Sequence, residues 1–506
     1  MAKVVMPLDC QTFQARLVMD SIDALTRIDA SMPARFTLDD GSQLECLEAV
    51  RRVPGRRVVF RGVWQGKAVY AKLFIGKRAS HYAARDRDGV LRLQAANITT
   101  PDLLVDTAIS ARNCSVLVFA AIEQAMNAEQ LLAFSSPEAR LQLAHALVQE
   151  LAWHHNAGIY QSDLYLKNFL VRERRIWTID GDAIRPLPAW LKRRCAEHNL
   201  AVLLSKFDAL DIEAWLPDLL MTYQKIRDGD VMLSVRRMHH AVARHRARVV
   251  RGYADKKIFR QCTDVTVQKS FSRFIAVARR FLTLSITERL SSLDTLIDDA
   301  RSQRFKNGNT CTVSLVQLGA HPVVVKRYNI KGFWHRLSRA FRSTRAAQSW
   351  RAAHRLLMYG FNTPLPVALV EERWGCLRGR AYFLSEYVDA PDVYAYFSQE
   401  AELGKKQAVA EKIAQMFYKL NLLKVAHGDC KATNIKIVQG EPVLIDLDSL
   451  QAYRFRCFFV RKHVKDLRRF MRNWQQQPET FALLVQAFNK VYGNDCQLVS
   501  AGLINR

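Results

Sequence analysis

The chain has 506 residues, more than one ordinary domain holds, and 49% of them are hydrophobic, which excludes wholesale disorder. Seventy-five Lys and Arg face 48 acidic residues, a formal net charge of +27. A charge that large implies an anionic partner, whether nucleic acid, an anionic membrane surface or a phosphorylated substrate.

Other bulk features narrow the class. No run of about 18 apolar residues occurs, so no spanning helix is expected. The opening MAKVVMPLDCQTFQARL makes a poor secretory signal, so the expected location is cytoplasmic. The 10 cysteines include no CxxC pair, which argues against a disulfide framework and against zinc. His154–His155 and His239–His240 read as surface or packing histidines.

In chain order, the first strands are RRVVFRGVWQGKAVYAKLF, with Lys72 interrupting the last apolar, β-branched run. A basic helical region containing Asp86 follows, then a proline signal, NITTPDLL, and the β-rich Ser115–Glu123. Leu143, Leu147 and Leu151 recur at fourfold spacing and predict an amphipathic helix. Next comes YQSDLYLKNFLVRERRIWTIDGD, Tyr160 to Asp182: a loop, two short strands and a terminal acid. Residues 186–255 read as helical and end in the basic Arg236–Arg260 stretch; a domain boundary is placed near 255, with an N-terminal extension to about residue 40.

The same order then returns. NTCTVSLVQLGAHPVVVKRY carries Lys326; FNTPLPVAL and AYFLSEYVD follow; Ile413, Met416, Phe417 and Leu420 mark a second amphipathic helix; and AHGDCKATNIKIVQGEPVLIDLD spans Ala426 to Asp448. Asp163 precedes Asn168 by 5 residues and Asp180 by 17, and Asp429 precedes Asn434 and Asp446 by the same 5 and 17. Two spacings and the identity of the polar residues repeat together, the mark of two copies of one domain, 1–255 and 256–506.

These residue types suit phosphoryl transfer from ATP, which needs the phosphates held, their charge neutralised and the acceptor hydroxyl placed in line. Lys72 and Lys326 would hold phosphates. Asp163 and Asp429 would accept the proton of the acceptor hydroxyl. Asn168 with Asp180, and Asn434 with Asp446, offer the hard oxygen ligands Mg²⁺ prefers. Asp182 and Asp448 could ligate a second metal or cap the turn. The order Lys, Asp, Asn, Asp is that of protein kinases.

HGDCKATN, His427 to Asn434, resembles the catalytic loop of the protein-kinase-like fold and includes an ATP-binding Lys431. IDLD, Ile445 to Asp448, resembles its metal-binding segment, with an acid in place of the glycine of protein kinases, as in sugar, choline and aminoglycoside kinases. DLYLKNFLV, RAAQSWRAAHRLLMYGFNTPLPVAL and AYFLSEYVD resemble the lipopolysaccharide core kinases of the Kdo/WaaP/InaA type. The resemblance covers residues 45–475 or so. It implies an α+β fold of two tandem kinase-like domains, each with a small β-rich lobe and a larger helical lobe. It implies ATP and Mg²⁺ as cofactors, and phosphorylation of a heptose or Kdo hydroxyl at the cytoplasmic face of the inner membrane of a Gram-negative bacterium. The partners would be lipopolysaccharide core or a lipid-linked sugar and an anionic membrane surface, with nucleic acid disfavoured.

The sequence also departs from the pattern. Gln161 and Tyr165 replace the loop histidine and lysine in the first copy. Asp86 is the candidate helix acid that would pair with Lys72; the corresponding place in the second copy, Gln348–Ser349, has no acid. Neither copy shows a GxGxxG. Phe333, Trp334, Leu337 and Phe341 lie among Lys331, Arg336, Arg339, Arg342 and Arg345, either a core helix with a solvated basic face or a helix lying on anionic lipid. A kinase for another small-molecule or protein acceptor, and a non-catalytic tandem pseudokinase, are the rival readings.

Overall fold

The computed structural model describes residues 34–227, 232–299, 302–308, 311–319, 321–329, 343–400, 402–493 and 495–503. The chain forms two compact units. The first runs to Lys206 and includes Trp215–Val242; the second comprises Phe207–Ala214 and the residues from Ala243 on. The division thus follows Val242, where the sequence pattern placed it near 255.

The first unit opens with a six-stranded antiparallel sheet in the order Ala34–Thr37, Gln43–Val53, Arg57–Trp64, Lys67–Ile75, Cys114–Ala120, Leu103–Ile109. Period-two alternation gives each strand two faces. Val69, Ala71 and Leu73 join Phe60, Val116 and Val118 in one core. Phe74, Leu117 and Phe119 turn to the other face, where the helix Ala79–Ala95 covers them with Ala79, Ala83 and Val90. Lys72 shares that second face, paired across to Val59 and Leu117. It therefore sits on a central strand under a helix, not on an exposed edge.

Helices follow. Pro137–Asn156 starts with Ser136 accepting from the Ala139 N–H and Pro137 in the first turn. It buries Leu143, Leu147 and Leu151 as the periodicity predicts. His154 and His155 are buried on it: the His155 ring meets the Tyr223 hydroxyl at 2.7 Å and Asn199 at 3.2 Å, and His154 meets Thr178 at 3.1 Å. They are packing groups. Trp177 and Trp350 are buried, whereas Trp153, one residue before His154 on the same helix, is 47% exposed.

The second unit repeats the plan with a seven-stranded sheet ordered Val265–Lys269, Arg273–Ala278, Pro366–Trp374, Leu377–Glu386, His321–Tyr328, Cys311–Leu318, Gln303–Asn307. Its last five strands reproduce the arrangement around Lys67–Ile75, and Lys326 again lies on an interior strand, paired to Val313 and Phe383. The helix Arg345–Met358 covers this sheet and buries Trp350 fully. The helix Leu403–Leu423 buries Ile413, Met416, Phe417 and Leu420 against Phe470, Trp474 and Phe488 from the helical segments that follow. The aromatic-basic stretch from Lys331 to Arg342 lies outside the described residues.

Buried neutral histidines make stability depend on pH. Burial pushes His155 and His463 down to about 3 and His354 down to about 4. The folded state resists protonating them while the unfolded chain takes up protons below its ordinary histidine range. Their stability is therefore full above pH 6.5 and is lost as pH falls toward 3–4, by about 1.4 kcal/mol per pH unit for each histidine. Guanidinium unfolding at pH 7 and pH 5 should show a lower midpoint at pH 5; an unchanged midpoint would refute the linkage.

Candidate active site

Each unit holds its polar loop by the same backbone bonds. The Asn168 side-chain amide donates to the Asp163 carbonyl at 3.0 Å, and Asn434 to the Asp429 carbonyl at 2.8 Å. The N–H of Ile179 donates to the Asn168 carbonyl at 2.9 Å, and that of Ile445 to the Asn434 carbonyl at 3.0 Å. Loop and hairpin end are thereby pinned together. Asp180 and Asp446 both follow in the left-handed region, with φ of 72° and 57°, which turns each carboxylate back toward its loop.

The first unit's departures are local replacements. Gln161 Nε2 donates to the Ile179 carbonyl at 3.1 Å, as His427 Nε2 donates to the Ile445 carbonyl at 3.0 Å. Both side chains also keep one buried polar atom without a hydrogen bond, Gln161 Oε1 and His427 Nδ1. Glutamine thus does the histidine's scaffold work. Tyr165, in place of Lys431, lies between the ammonium groups of Lys206 and Lys167, 4.6 and 5.1 Å from its ring centre.

The lysines find their counter-charges differently. Lys72 Nζ lies 2.7 Å from Asp86 and 3.5 Å from Asp180. Asp86 is fully buried on its helix, so the acid picked from the sequence reaches its lysine. The helix comes that close because Gly89 and Gly181 touch: a Cβ on Gly181 would lie 2.2 Å from the Asp86 carbonyl oxygen. In the second unit Lys326 Nζ lies 2.7 Å from Asp446 and 3.9 Å from Asp448. Ser349 occupies the helix position and donates to Asp448 at 2.7 Å, while Arg345 reaches the other oxygen at 2.8 Å and the Tyr328 hydroxyl donates at 2.5 Å. With no helix acid, Lys326 takes its close counter-charge from Asp446 and a more distant one from Asp448, both at the hairpin end.

Around Asp429 two further residues stand that sequence reading missed. Arg469 Nη2 is 2.6 Å from Oδ1, with Lys431 Nζ 3.7 Å from Oδ2. Asp466 accepts from the Gly428 N–H with both oxygens, at 3.1 and 3.0 Å, and so braces the loop. Both lie on the helix Arg456–Met471, where only the i, i+3 relation of an Asp and an Arg in an otherwise basic helix hinted at them.

Lys326, Lys431, Asp429, Asn434 and Asp446 thus converge in one place.

Residues 299–492 match the lipopolysaccharide kinase (Kdo/WaaP) family. No curated protein matches the chain. The Kdo/WaaP match spans every one of the second-unit residues just described, and the first unit lies outside it. The activity it implies is that of a kinase, a phosphotransferase acting on a lipopolysaccharide-related substrate.

The donor set fits Mg²⁺. Among the described residues no three His, Cys, Asp or Glu side chains are grouped to hold a metal by themselves. Mg²⁺ is ordinarily held by one or two carboxylates together with substrate phosphates and water. Asn434 spends its amide on the Asp429 carbonyl and keeps its oxygen as an acceptor, and the Asp446 side chain is 42% exposed. Burial raises the Asp446 carboxyl, but Lys326, helped by His427 and Arg345, holds the group below the usual carboxylate range, in the anionic form a cation requires.

The shared hydrogen bond to the hairpin carbonyl predicts how His427 can be replaced. His427→Gln should retain nucleotide binding and thermal stability close to the parent. His427→Ala, which strands the Ile445 carbonyl, should cost about 1–3 kcal/mol in denaturant unfolding. Equal losses in the two variants would show that the ring does more than scaffold.

Proposed function

We propose that the second unit transfers the γ-phosphoryl group of Mg²⁺–ATP to a heptose or Kdo hydroxyl of lipopolysaccharide inner core, at the cytoplasmic face of the inner membrane. The observation that supports this reading is the convergence of Lys326, Asp429, Asn434 and Asp446 within the segment that matches the Kdo/WaaP family. Lys326, 16% exposed and pinned by Asp446, would hold the nucleotide phosphates. Asn434 and Asp446 would hold Mg²⁺, which neutralises phosphate charge as it develops. Asp429 takes the proton of the acceptor hydroxyl at Oδ2, because Oδ1 is occupied by Arg469. Arg469 and Lys431 fix the carboxylate and supply positive charge for an acceptor that carries phosphate.

We read the first unit as a second copy of the same kinase-like domain. The spacing of its Asp163, Asn168 and Asp180 and the bonds that pin its loop support that reading.

The membrane part of the reading rests on an exposed patch. No described helix is long and apolar enough to cross a bilayer. Phe455 and Phe458, 57% and 62% exposed, rim an open groove of about 580 Å³ with Arg454, Arg461 and Lys462. Aromatic side chains ringed by basic ones suit an anionic interface. Phe458 and Arg469 are on one helix, so the patch lies roughly 16 Å along the axis from the residue that holds Asp429. A lipid-anchored sugar bound at the patch would stay within reach of the base.

Two experiments test these assignments. Asp429→Asn should lower transfer to core sugar by on the order of 10²–10⁴ while nucleotide binding persists, and Asp163→Asn should lower it less. Mass spectrometry of the core phosphates reads the outcome; full activity in the double mutant would end the enzyme reading. In vesicle sedimentation, Phe455→Ser with Phe458→Ser, or Arg461→Glu with Lys462→Glu, should weaken binding to anionic vesicles, each basic residue contributing about 1 kcal/mol. High salt should weaken it too. Equal binding to neutral and anionic vesicles would remove the electrostatic account.

A further inference from the structure

The clefts of the two units differ most in their arginines. In the first unit Arg51, Arg56, Arg57, Arg85 and Arg185 line one cavity of about 300 Å³ with Asp163, Asp180 and Asp182. Lys72 and Asp86 adjoin it. Six cations therefore face four carboxylates. Asp182 is paired by Arg85 and, at 3.5 Å, by Arg56. Asp180 has three cations within 4.0 Å: Arg57 and Lys72 at 3.5 Å and Arg51 at 4.0 Å. Its side chain is only 14% exposed. Asp446, at the same place in the second unit, has Lys326 alone among the described cations within 4.0 Å and is 42% exposed.

The strand registers show where the difference arises. Arg57 lies opposite Phe74, two residues beyond Lys72; the matching residue opposite Tyr328, two beyond Lys326, is Cys311. Arg57 is 8% exposed, its ion pairs to Asp86 and Asp180 are 3.6 and 3.5 Å long, and its Nη1 makes no hydrogen bond. A buried guanidinium with an unused donor beside a positively charged cavity is a vacancy for an anionic oxygen. Meanwhile three cations already stand within 4.0 Å of Asp180.

We propose that the first-unit cleft is a receptor for a phosphate-bearing ligand, held by Arg51, Arg56 and Arg57 in place of a divalent cation. The ligand class is a phosphoanion, either the phosphate chain of a nucleotide or a sugar phosphate. Bidentate guanidinium–phosphate bonds give the affinity, and the carboxylates serve to order the arginines. The proposal is independent of the transfer reaction assigned to the second unit and concerns binding alone.

Isothermal titration on the full-length chain tests it, in a Lys326→Ala background that silences the second cleft. Ligands are ATP, inorganic tripolyphosphate and glucose 6-phosphate, each in EDTA and in Mg²⁺. One ligand per chain should bind in EDTA, with no tightening by Mg²⁺. Arg51→Ala with Arg56→Ala, both well exposed and so harmless to folding, should weaken it on the order of tenfold or more. Arg57→Cys should abolish it, and Asp429→Asn should leave it unchanged. Tripolyphosphate equal to ATP would identify the phosphate chain as the ligand; tighter ATP, a nucleotide; tighter glucose 6-phosphate, a phosphorylated sugar. Absence of binding in EDTA, a strict requirement for Mg²⁺, or indifference to the Arg51 and Arg56 substitutions would each overturn the proposal.

Discussion

A lysine placed on a central strand beneath a covering helix has lost most of its water, and a buried ammonium without a partner costs several kcal/mol. Lys72 and Lys326 are 14% and 16% exposed, so each unit must bring a carboxylate to that spot. This need shapes the rest of each cleft. In the first unit the acid comes from the helix, as Asp86, and the helix must then approach the hairpin end closely enough that only glycine fits at residues 89 and 181. In the second, Asp446 and Asp448 come from the hairpin end. The helix supplies Ser349 and Arg345, which hold Asp448 in place. The same electrostatic demand is met by two different chain segments.

The hairpin acids carry the cost of that arrangement. Asp180 and Asp446 sit at positive φ, a conformation that costs a non-glycine residue on the order of 1–2 kcal/mol. The surrounding bonds over-determine it: Asn to the Asp carbonyl, Ile N–H to the Asn carbonyl, and Gln161 or His427 to the Ile carbonyl. Strain held by fixed neighbours is what keeps an acid pointing at a loop rather than at solvent.

How much of this could be read from the sequence follows from the range of each interaction. The Asp–Asn pair was legible because its hydrogen bond closes over five residues, so spacing encodes it. The strand lysines were legible because alternation makes a charge conspicuous, and the helices because leucines recur at helical spacing. The partner of Lys326 was not legible, since Asp446 is 120 residues away and reaches the lysine from the hairpin end rather than from the helix. Arg57 was hidden for another reason. At the head of an alternating strand it reads as a solvated edge residue, and only the sheet order and the helix above it reveal that it is buried.

These points bear on what two such clefts in one chain can do. A transfer site needs an acid that can exchange partners: Asp446 is open and held by a single lysine, so a metal and phosphates can enter without breaking a network. A cleft whose acid is already enclosed by three cations gains little from a metal, and would have to give up existing ion pairs to admit one. Near-identical loop scaffolds therefore present different electrostatic surroundings: the scaffold fixes where the carboxylates stand, while the residues opposite them set how many cations already face each one.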